Sequence, residues 1–376
     1  MKIALISREK LENRVYWSGI IETVYSNLKL NKKIEIVKID NLNNSLRKIH
    51  ALKREFINFL KKEKYDDAYN ENVSKNFARQ IKLKLSKYED INYILCFDSS
   101  LIAYLNIKKP IILWTDLLYS DYYSHYYKDL KVSQKTFDSI KLIEKNALNK
   151  CHRIFLSSEW AIKKAIKKHK KNRKKFKYLP FGPNFKISVN KKKINNYIKS
   201  KSQDKLTLIT LSVDWRRKGL NKLLELKKIL NKKGVRTRLI VIGLKKKIKT
   251  DEKDVKFIKF IDKSKLNGEI KLSNYLLRSH YHVLFSNAEA YGVSLVEANS
   301  RGLPNIVFKV GGIPQIVKNN VNGMIFKKNT SIDQIALKIK KNFSIYKNYE
   351  KLSISSYHEY NKNFFNKKII NDFIKF

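Results

Sequence analysis

The sequence predicts an α/β protein made of two Rossmann-like domains, each with a doubly wound parallel sheet. Short apolar runs alternate with helical patterns, which is the order expected of a parallel sheet covered by helices. This alternation occurs twice, on either side of a polar, basic stretch at 186–205 that fits a linker. A length of 376 residues also suits about two domains. We therefore expect domains over 1–185 and 206–345, and C-terminal helices over 346–376 that pack back on the N-terminal domain.

The N-terminal half opens with an apolar run that suits a buried first strand. The predicted strands of this half are 2–6, 34–39, 92–97, 111–115 and 153–157. The predicted helices are 20–28, two lysine-rich helices within 45–88, and 138–148. Because each strand is followed by a helical pattern, the strands should run parallel.

The C-terminal half repeats this order after the linker. Its predicted strands are 206–211, 238–242, 255–260, 283–286 and 305–308. Its predicted helices are 221–232, 270–278, 293–300, 331–347 and 357–376. Gly302 and Pro304 lie where a glycine cap and a following proline end the helix at 293–300.

The composition predicts a cytoplasmic protein. No apolar run approaches the roughly 18–20 residues needed to span a bilayer. The first residues, MKIALISREK, lack the longer apolar stretch of a secretory signal peptide. Cys96 and Cys151 have no metal-ligand spacing, so a reducing compartment is the default expectation.

The formal net charge of +48 invites a nucleic-acid-binding interpretation. Lysine greatly outnumbers arginine, however, and readers of base edges favour arginine. The abundance of Lys, Asn, Ile, Phe and Tyr is also what AT-rich codons produce. We therefore expect no nucleic-acid partner, although the composition alone does not decide whether the charge is functional.

The densest basic cluster is KKAIKKHKKNRKKFK, at 163–177. Apolar residues one turn apart within it predict a helix with one packed stripe and a cationic face. Such a face is either a solvated surface or a site for anionic lipid headgroups, where each basic residue contributes roughly 1 kcal/mol. An anionic polysaccharide is a third possible partner.

The segment 282–326 contains the most specific pattern of the chain. Glu289 and Glu297 lie eight positions apart around Gly292, within a predicted strand, helix and strand. The free N–H groups at the helix start, near Gly292, Val293 and Ser294, could bind a phosphate. Each carboxylate could accept hydrogen bonds from the vicinal hydroxyls of a sugar or ribose. The spacing is also compatible with an ordinary βαβ unit bearing two solvated glutamates.

This segment resembles the donor-binding signature of the family 4 retaining glycosyltransferases, which have the GT-B fold and two glutamates separated by seven residues. The resemblance continues through three further motifs, which are Gly302-Leu303-Pro304, Gly311-Gly312-Ile313-Pro314 and Asn322-Gly323. Gln315 departs from the glutamate usual in the family, and Asn305 departs from an apolar residue. The resemblance implies two Rossmann-like domains facing a cleft.

The resemblance also implies roles for individual residues. Glu297 would bind the ribose diol and Glu289 a sugar hydroxyl. The segment Asp214–Gly219 is similar to a family motif in which an arginine–lysine pair contacts the diphosphate, which implies Arg217 and Lys218. Ser212 and Val213 stand where many members have another arginine, so one phosphate contact is not accounted for.

Four further residues correspond to family loops near the ligands. Gly19 matches a loop of the N-terminal domain that approaches the donor, or it is a plain turn glycine. Asp116 follows a predicted strand and either orients an acceptor hydroxyl or caps the next helix. Gly243 lies where the family's base-binding loops lie, or it is an ordinary strand end, and Gly312 belongs to a glycine loop that could approach the donor closely.

The expected function is transfer of a sugar, with retention, from a nucleotide sugar to a glycan or lipid-linked acceptor in cell-surface polysaccharide or glycolipid synthesis. No Asp-x-Asp pair is present, so metal independence is expected and no cofactor beyond the donor substrate. The absence of a Gly-Lys-Ser/Thr loop argues against an ATPase. A sugar-nucleotide epimerase of the same fold and a basic nucleic-acid-binding protein remain the alternatives.

Overall fold

A computed structural model describes residues 1–61, 69–127, 132–244 and 248–375. These residues divide into two compact units. The first comprises Met1–Pro180 and the C-terminal residues from Ile370, and the second comprises Phe181–Ile369. Each unit contains a six-stranded, fully parallel sheet with helices packed on it, which confirms the α/β prediction.

The sheet of the first unit has the strand order β2-β1-β3-β4-β5-β6. Its strands are β1 Lys2–Ile6, β2 Glu35–Ile39, β3 Tyr93–Cys96, β4 Ile111–Thr115, β5 Cys151–Leu156 and β6 Phe176–Tyr178. Its helices are α1 Ile20–Lys29, α2 Ser45–Lys61, α3 Glu71–Leu85, α4 Ser99–Ile102, α5 Tyr119–Tyr126, α6 Gln134–Lys150 and α7 Glu159–Lys168. Strand β4 is buried along its whole length because helices cover both faces of a parallel sheet.

The sheet of the second unit has the order β12-β11-β10-β7-β8-β9. Its strands are β7 Leu206–Leu211, β8 Thr237–Ile242, β9 Val255–Ile258, β10 Tyr281–Leu284, β11 Asn305–Phe308 and β12 Gly323–Phe326. The helices that begin within it are α8 Lys191–Lys199, α9 Leu220–Lys232, α10 Leu266–Arg278, α11 Val293–Asn299, α12 Ile313–Ile316, α13 Ile332–Ser344, α14 Tyr346–Asn363 and α15 Asn366–Ile374.

The chain reverses direction across each sheet at one point. In the first unit β2 and β3 lie on opposite sides of β1, and in the second β8 and β10 lie on opposite sides of β7. In open parallel sheets, ligands bind at the carboxyl ends of the strands at such a switch point. The loops after β1 and β3, and those after β7 and β10, are therefore the places to look for sites.

Three predicted boundaries differ from the structure. The segment 186–205 contains α8, which buries Ile194 and Ile198 within the second unit, so much of it is packed helix rather than open linker. The helix predicted at 357–376 is replaced by α14 and α15, which are separated near Phe364. Only residues from Ile370 belong to the first unit, where the ring of Phe373 stacks on Trp114 at 5.6 Å.

The basic cluster at 163–177 is not one helix. α7 ends at Lys168, a 3-10 turn follows at Lys170–Lys175, and β6 begins at Phe176. Lys168 Nζ lies 2.6 Å from the buried carboxylate of Asp121. Lys175 Nζ donates to the carbonyl oxygens of Leu148 and Asn149 at the end of α6, both at 3.0 Å. Two of the lysines thus stabilise the fold, and most of the remaining basic side chains are exposed.

No helix in the described part of the chain is both long enough and apolar enough to cross a membrane.

Candidate functional site

The candidate site of the second unit forms where the loops after β7 and β10 meet. A Cβ placed on Gly219 would lie 2.3 Å from the carbonyl oxygen of Phe285, and Gly219 has a φ of +70°. Only glycine fits this close approach in a left-handed conformation. Asn287 N–H donates to Arg217 O at 2.8 Å, which joins the two loops a second time. These backbone contacts bring Arg217 and Lys218 to Glu289.

Glu289 is the centre of this site. Its Oε2 accepts hydrogen bonds from Lys218 Nζ at 2.7 Å, from Arg217 Nη1 at 3.2 Å and from Ser286 Oγ at 3.2 Å. Its side chain is only 9% exposed, and that of Lys218 only 11%. Arg217 Nη1 also donates to Ala288 O at 3.0 Å, and its Nε lies 3.4 Å from Asp214 Oδ2. Two cations are therefore held rigidly around one buried carboxylate.

The electrostatics of the site favour the ionised glutamate. Burial alone would raise the pKa of the Glu289 carboxyl, because a charged group loses its hydration. The charges of Lys218 and Arg217 outweigh burial, with help from the hydrogen bonds of Lys218 and Ser286, so the pKa is below its ordinary value. Glu289 is thus a carboxylate that accepts hydrogen bonds, and it is not arranged as a proton donor.

Glu297 lies on α11 and is also buried, with 3% of its side chain exposed. It accepts a short hydrogen bond from Lys263 Nζ, which follows β9. The Lys263 ammonium also lies 5.4 Å from the centre of the Phe185 ring. The two glutamates of the sequence motif therefore each have a lysine partner from a different loop, and neither is a solvated surface group.

Two buried hydroxyl groups of the second unit have no hydrogen-bond partner among the described residues. They are Ser294 Oγ, in the first turn of α11, and Ser212 Oγ, directly after β7. Gly243 lies against the same loop, since a Cβ there would be 3.0 Å from Ser212 O. Unsatisfied buried polar atoms of this kind are what a ligand's polar groups could satisfy.

The other predicted glycines have local structural roles. Gly292 is the N-cap residue of α11 and has a φ of 97°. Gly312 precedes α12 with an ordinary φ of −81°, and its N–H donates to Glu289 O at 3.3 Å. The roles predicted for Gly292, Val293, Ser294, Gly243 and Gly312 in donor binding stay predictions.

The departure at Asn305 has a structural explanation. Asn305 Oδ1 accepts from His282 Nδ1 at 2.7 Å, and Asn305 Nδ2 donates to Asn299 Oδ1 at 2.7 Å. Burial lowers the pKa of His282 to about 4, so the imidazole is neutral. A polar network beneath α11 replaces the apolar contact expected at this position.

Asp116 and Gly19 both belong to the first unit. Asp116 lines a cavity there together with Trp17 and Ser18. It does not cap α5, whose N-cap position is Leu118. Gly19 ends a short 3-10 turn and is the N-cap residue of α1, with a φ of 83°, directly after two non-glycine residues that are also left-handed.

Sequence reasoning missed several residues that the structure brings to these places. Lys263 and Ser286 contact the two glutamates, and Arg8 and Arg47 line the cavity of the first unit. Arg8 follows β1 much as Glu289 follows β10, so the rule about strand ends could have identified it. Lys263 is one of many lysines, and only the fold distinguishes it. Among the described ranges, no group of three or more His, Cys, Asp or Glu side chains is placed to hold a metal ion.

Comparison with known proteins identifies a family that matches part of the chain. Residues 191–359 match the model of the family described as glycosyl transferases group 1. The matched range includes Arg217, Lys218, Glu289 and Glu297. A search of curated protein sequences found no match.

Solved structures resemble the whole chain. Sucrose-phosphate synthase from Thermosynechococcus elongatus has a TM-score of 0.71 at 14% identity, with 100% of this chain and 98% of that one covered. A glycosyltransferase from Rickettsia africae has a TM-score of 0.63 at 14% identity, covering 100% and 97%. Anabaena HepE in complex with UDP-glucose has a TM-score of 0.63 at 12% identity, covering 100% of both chains. The chain therefore has the GT-B fold, and its residues 191–359 match the group 1 glycosyl transferases.

Proposed function

We propose that this protein is a retaining glycosyltransferase of family 4 that transfers a sugar from a nucleotide sugar to a glycan or lipid-linked acceptor. The observation that carries the proposal is the buried Glu289 carboxylate held by Lys218 and Arg217 at the switch point of the second unit. The match to the group 1 glycosyl transferases and the solved complex of Anabaena HepE with UDP-glucose support it.

In this proposal the cations act on the donor diphosphate. Lys218 and Arg217 stabilise the negative charge that develops as the bond between the sugar and the diphosphate breaks. The acceptor oxygen bonds to the same face of the sugar, and its proton passes to the departing diphosphate. Glu289 accepts a hydrogen bond from a sugar hydroxyl, and Glu297 from the ribose. We propose that no metal ion is required, because side-chain cations neutralise the diphosphate.

A nucleotide-sugar binding panel tests the donor site. We expect one nucleotide sugar at about 100 times its Kd to raise the Tm of the wild-type protein by about 5 °C or more. Lys218→Ala and Glu297→Ala should each lose most of that increment, measured against their own ligand-free Tm. Arg216→Ala is the matched control, since Arg216 lies in the same loop but is exposed. Equal increments in all four proteins would overturn the donor-site assignment.

Two further measurements test the mechanism. Nuclear magnetic resonance of the product should show the anomeric configuration of the donor, and an inverted product would overturn retention. Activity should survive removal of divalent ions with a chelator. A loss of activity that is restored by added Mg²⁺ would show that a metal is needed.

We further propose that the protein works at the cytoplasmic face of a membrane in polysaccharide or glycolipid synthesis. The exposed basic residues within 163–177, among them Lys163, Lys167 and Lys170, support attraction to anionic headgroups. Sedimentation with vesicles should show binding to anionic but not to neutral lipid, and this binding should weaken with salt. Binding to neutral vesicles alone would contradict this proposal.

A further inference from the structure

The first unit contains a cavity of about 480 Å³ at its own switch point. The loops after β1, β3 and β4 line it, and helix α2 adds side chains from one side. This volume is within the range of small-molecule sites, which is roughly 300–1,000 Å³. The cavity is large enough for a sugar unit and its substituents.

Arg8 is the most informative residue of the cavity. It is 8% exposed, and its Nη2 donates to Tyr16 Oη at 3.1 Å. Its Nε and Nη1 are buried and have no hydrogen-bond partner among the described residues. Burial lowers the pKa of Arg8, but Tyr16 and Asp98 more than offset this and leave it above its ordinary value. Arg8 therefore stays a cation, and its two unsatisfied donors indicate a place prepared for the oxygen atoms of an anion.

The nearby carboxylate does not satisfy Arg8. Asp98 is the N-cap residue of α4, and its Oδ1 accepts from Ser100 N–H at 2.9 Å and from Ser100 Oγ at 2.8 Å. Tyr69 Oη donates to the same oxygen at 3.3 Å. The Asp98 carboxylate is thus committed to the start of a helix, and it influences Arg8 through charge rather than through a hydrogen bond.

Helix α2 contributes two more guanidinium groups. Arg47 and Arg54 lie seven positions apart, which is about two helical turns, and both line the cavity. Arg54 Nη2 also donates to Glu55 Oε1 at 2.6 Å. Together with Asp98 and Asp116, the lining carries three cations and two carboxylates, of which Asp98 is already engaged.

Aromatic rings form another part of the lining. The rings of Tyr119 and Tyr122 stack with centres 5.4 Å apart, and Tyr69 stacks on Tyr119 at 3.7 Å. Flat aromatic faces pack well against the apolar face of a sugar ring, while their hydroxyl groups remain polar. Trp17 and Ser18 at the cavity have φ values of 51° and 54°, a left-handed conformation that is uncommon for non-glycine residues.

We propose that this cavity binds an acceptor sugar that carries an anionic oxygen group, a phosphate or a carboxylate, held by Arg8 and Arg47. Calling the ligand an acceptor rests on the proposed function, whereas the anion site stands on the geometry of the first unit. Guanidinium groups match both phosphate and carboxylate oxygens in paired hydrogen bonds. The aromatic rings supply the surface for the sugar itself.

Calorimetric titration of the full-length protein tests the proposal with four probes. They are glucose 6-phosphate, glucuronate, glucose and inorganic phosphate. We expect at least one anionic sugar to bind ten-fold or more tightly than glucose and than inorganic phosphate. The anionic sugar that binds better identifies phosphate or carboxylate as the group recognised.

Arginine variants test the assignment to this cavity. Arg8→Gln and Arg47→Gln should each weaken binding of the preferred anionic sugar by about 10- to 100-fold, the effect of losing charge-assisted hydrogen bonds. Arg79→Gln is the control, because Arg79 is exposed on α3 of the same unit and loses the same charge. Its affinity should change by less than about three-fold. Arg8→Lys should lose affinity too, since lysine keeps the positive charge but cannot form the paired hydrogen bonds of a planar guanidinium group.

Specific results would overturn the proposal. Equal affinity for glucose and both anionic sugars would do so. An equal loss of affinity in Arg79→Gln and in the Arg8 and Arg47 variants would also do so, because it would indicate general attraction of an anion to a basic protein. Because Arg47 is half-buried on a helix surface, its variant should fold even if Arg8→Gln does not. If no nucleotide sugar stabilises the protein but an anionic sugar still binds in an Arg8-dependent way, only the proposed function is overturned. If a nucleotide sugar stabilises the protein but no anionic sugar binds in an Arg8-dependent way, only the acceptor inference is overturned.

Discussion

The two switch-point sites share a topology but differ in how their buried charges are balanced. In the second unit, Lys218 and Arg217 contact the carboxylate of Glu289. In the first unit, Arg8 is equally buried, yet two of its nitrogens have no hydrogen-bond partner among the described residues. The cations of one site are thus hydrogen-bonded to a carboxylate of the protein, whereas the buried cation of the other keeps two donors for a ligand.

This difference indicates two ways of preparing a site for an anion. The carboxylate of Glu289 holds the ammonium and guanidinium groups in fixed positions before a ligand arrives, so little reorganisation is needed when charge develops. Arg8 is fixed by burial and by its hydrogen bond to Tyr16 instead, so two of its donors stay unsatisfied until a ligand binds. The first arrangement suits a substrate whose negative charge increases during the reaction. The second suits selective binding of a ligand that is an anion throughout.

The largest effect should come from the charge-balanced site. Arg217→Gln should lower kcat/KM for sugar transfer by about 10² to 10³, since it removes one donor that stabilises the developing charge. Arg216→Gln, in the same loop but exposed, should change it by less than about three-fold. Steady-state kinetics of both variants checks this, and similar losses in both would show that overall loop charge, rather than the contact with Glu289, matters.

The next effect concerns the backbone that assembles this site. Gly219→Ala should lower the free energy of unfolding by about 3 kcal/mol, from left-handed strain and from overlap with Phe285 O. Gly234→Ala is the control, because it has a similar φ of +82° but no atom within 4 Å of its Cβ position. It should cost about 1 kcal/mol. Urea unfolding measures both, and equal costs would mean that the contact with Phe285 is unimportant.

Much of the fold was predictable from the sequence, because buried parallel strands are short apolar runs. Strands β1, β4, β7 and β11 have the predicted boundaries. β6 and α8 were not predicted, since β6 has only three residues and α8 has only a few apolar residues among lysines and asparagines. Within 163–177, the helix ends earlier than the pattern suggested because His169 leaves helical geometry.

The site was predictable only where residue types are distinctive. The structure places Arg217, Lys218 and Glu289 in contact, but the sequence could not show that the cations bond to the glutamate itself. Lys263 could not be selected, since its role depends on a loop after β9 that reaches α11. The burial of Arg8 in its cavity depends on residues distant in the sequence, which no local pattern encodes.

A direct test of the comparison replaces one cation in each unit by methionine. Lys218→Met should lower the free energy of unfolding by about 2 kcal/mol, because Glu289 stays buried with one partner fewer. Arg8→Met should change it by less than about 1 kcal/mol, because it loses one hydrogen bond, to Tyr16, and also removes two unsatisfied buried donors. Chemical denaturation of both variants and of the wild-type protein measures these changes. A larger loss for Arg8→Met would mean that Arg8 is a structural residue.

The smallest effect concerns His280, a buried group that is neutral, in contrast to the buried Arg8, which stays charged. In the second unit, His280 Nδ1 accepts from Thr207 N–H at 2.9 Å, and its Nε2 donates to Ser202 O at 2.9 Å, so the imidazole is neutral. Burial, with the nearby charge of Lys201, lowers the pKa of His280 to about 3 from an ordinary 6.5.

Because the folded-state pKa of His280 is depressed, its contribution to stability is complete above pH 6.5 and is lost as the pH falls toward 3. The unfolded chain binds one more proton in this window, so the slope is about 1.4 kcal/mol per pH unit at most. His280→Asn, whose amide can still accept from Thr207, should flatten the decline measured by urea unfolding between pH 6.5 and 4. His358→Gln, at an exposed position of α14, should leave the slope unchanged. If the slope of the unfolding free energy against pH is unchanged in His280→Asn, the carboxylates alone cause the acid sensitivity. Burial would then not have lowered the pKa of this imidazole.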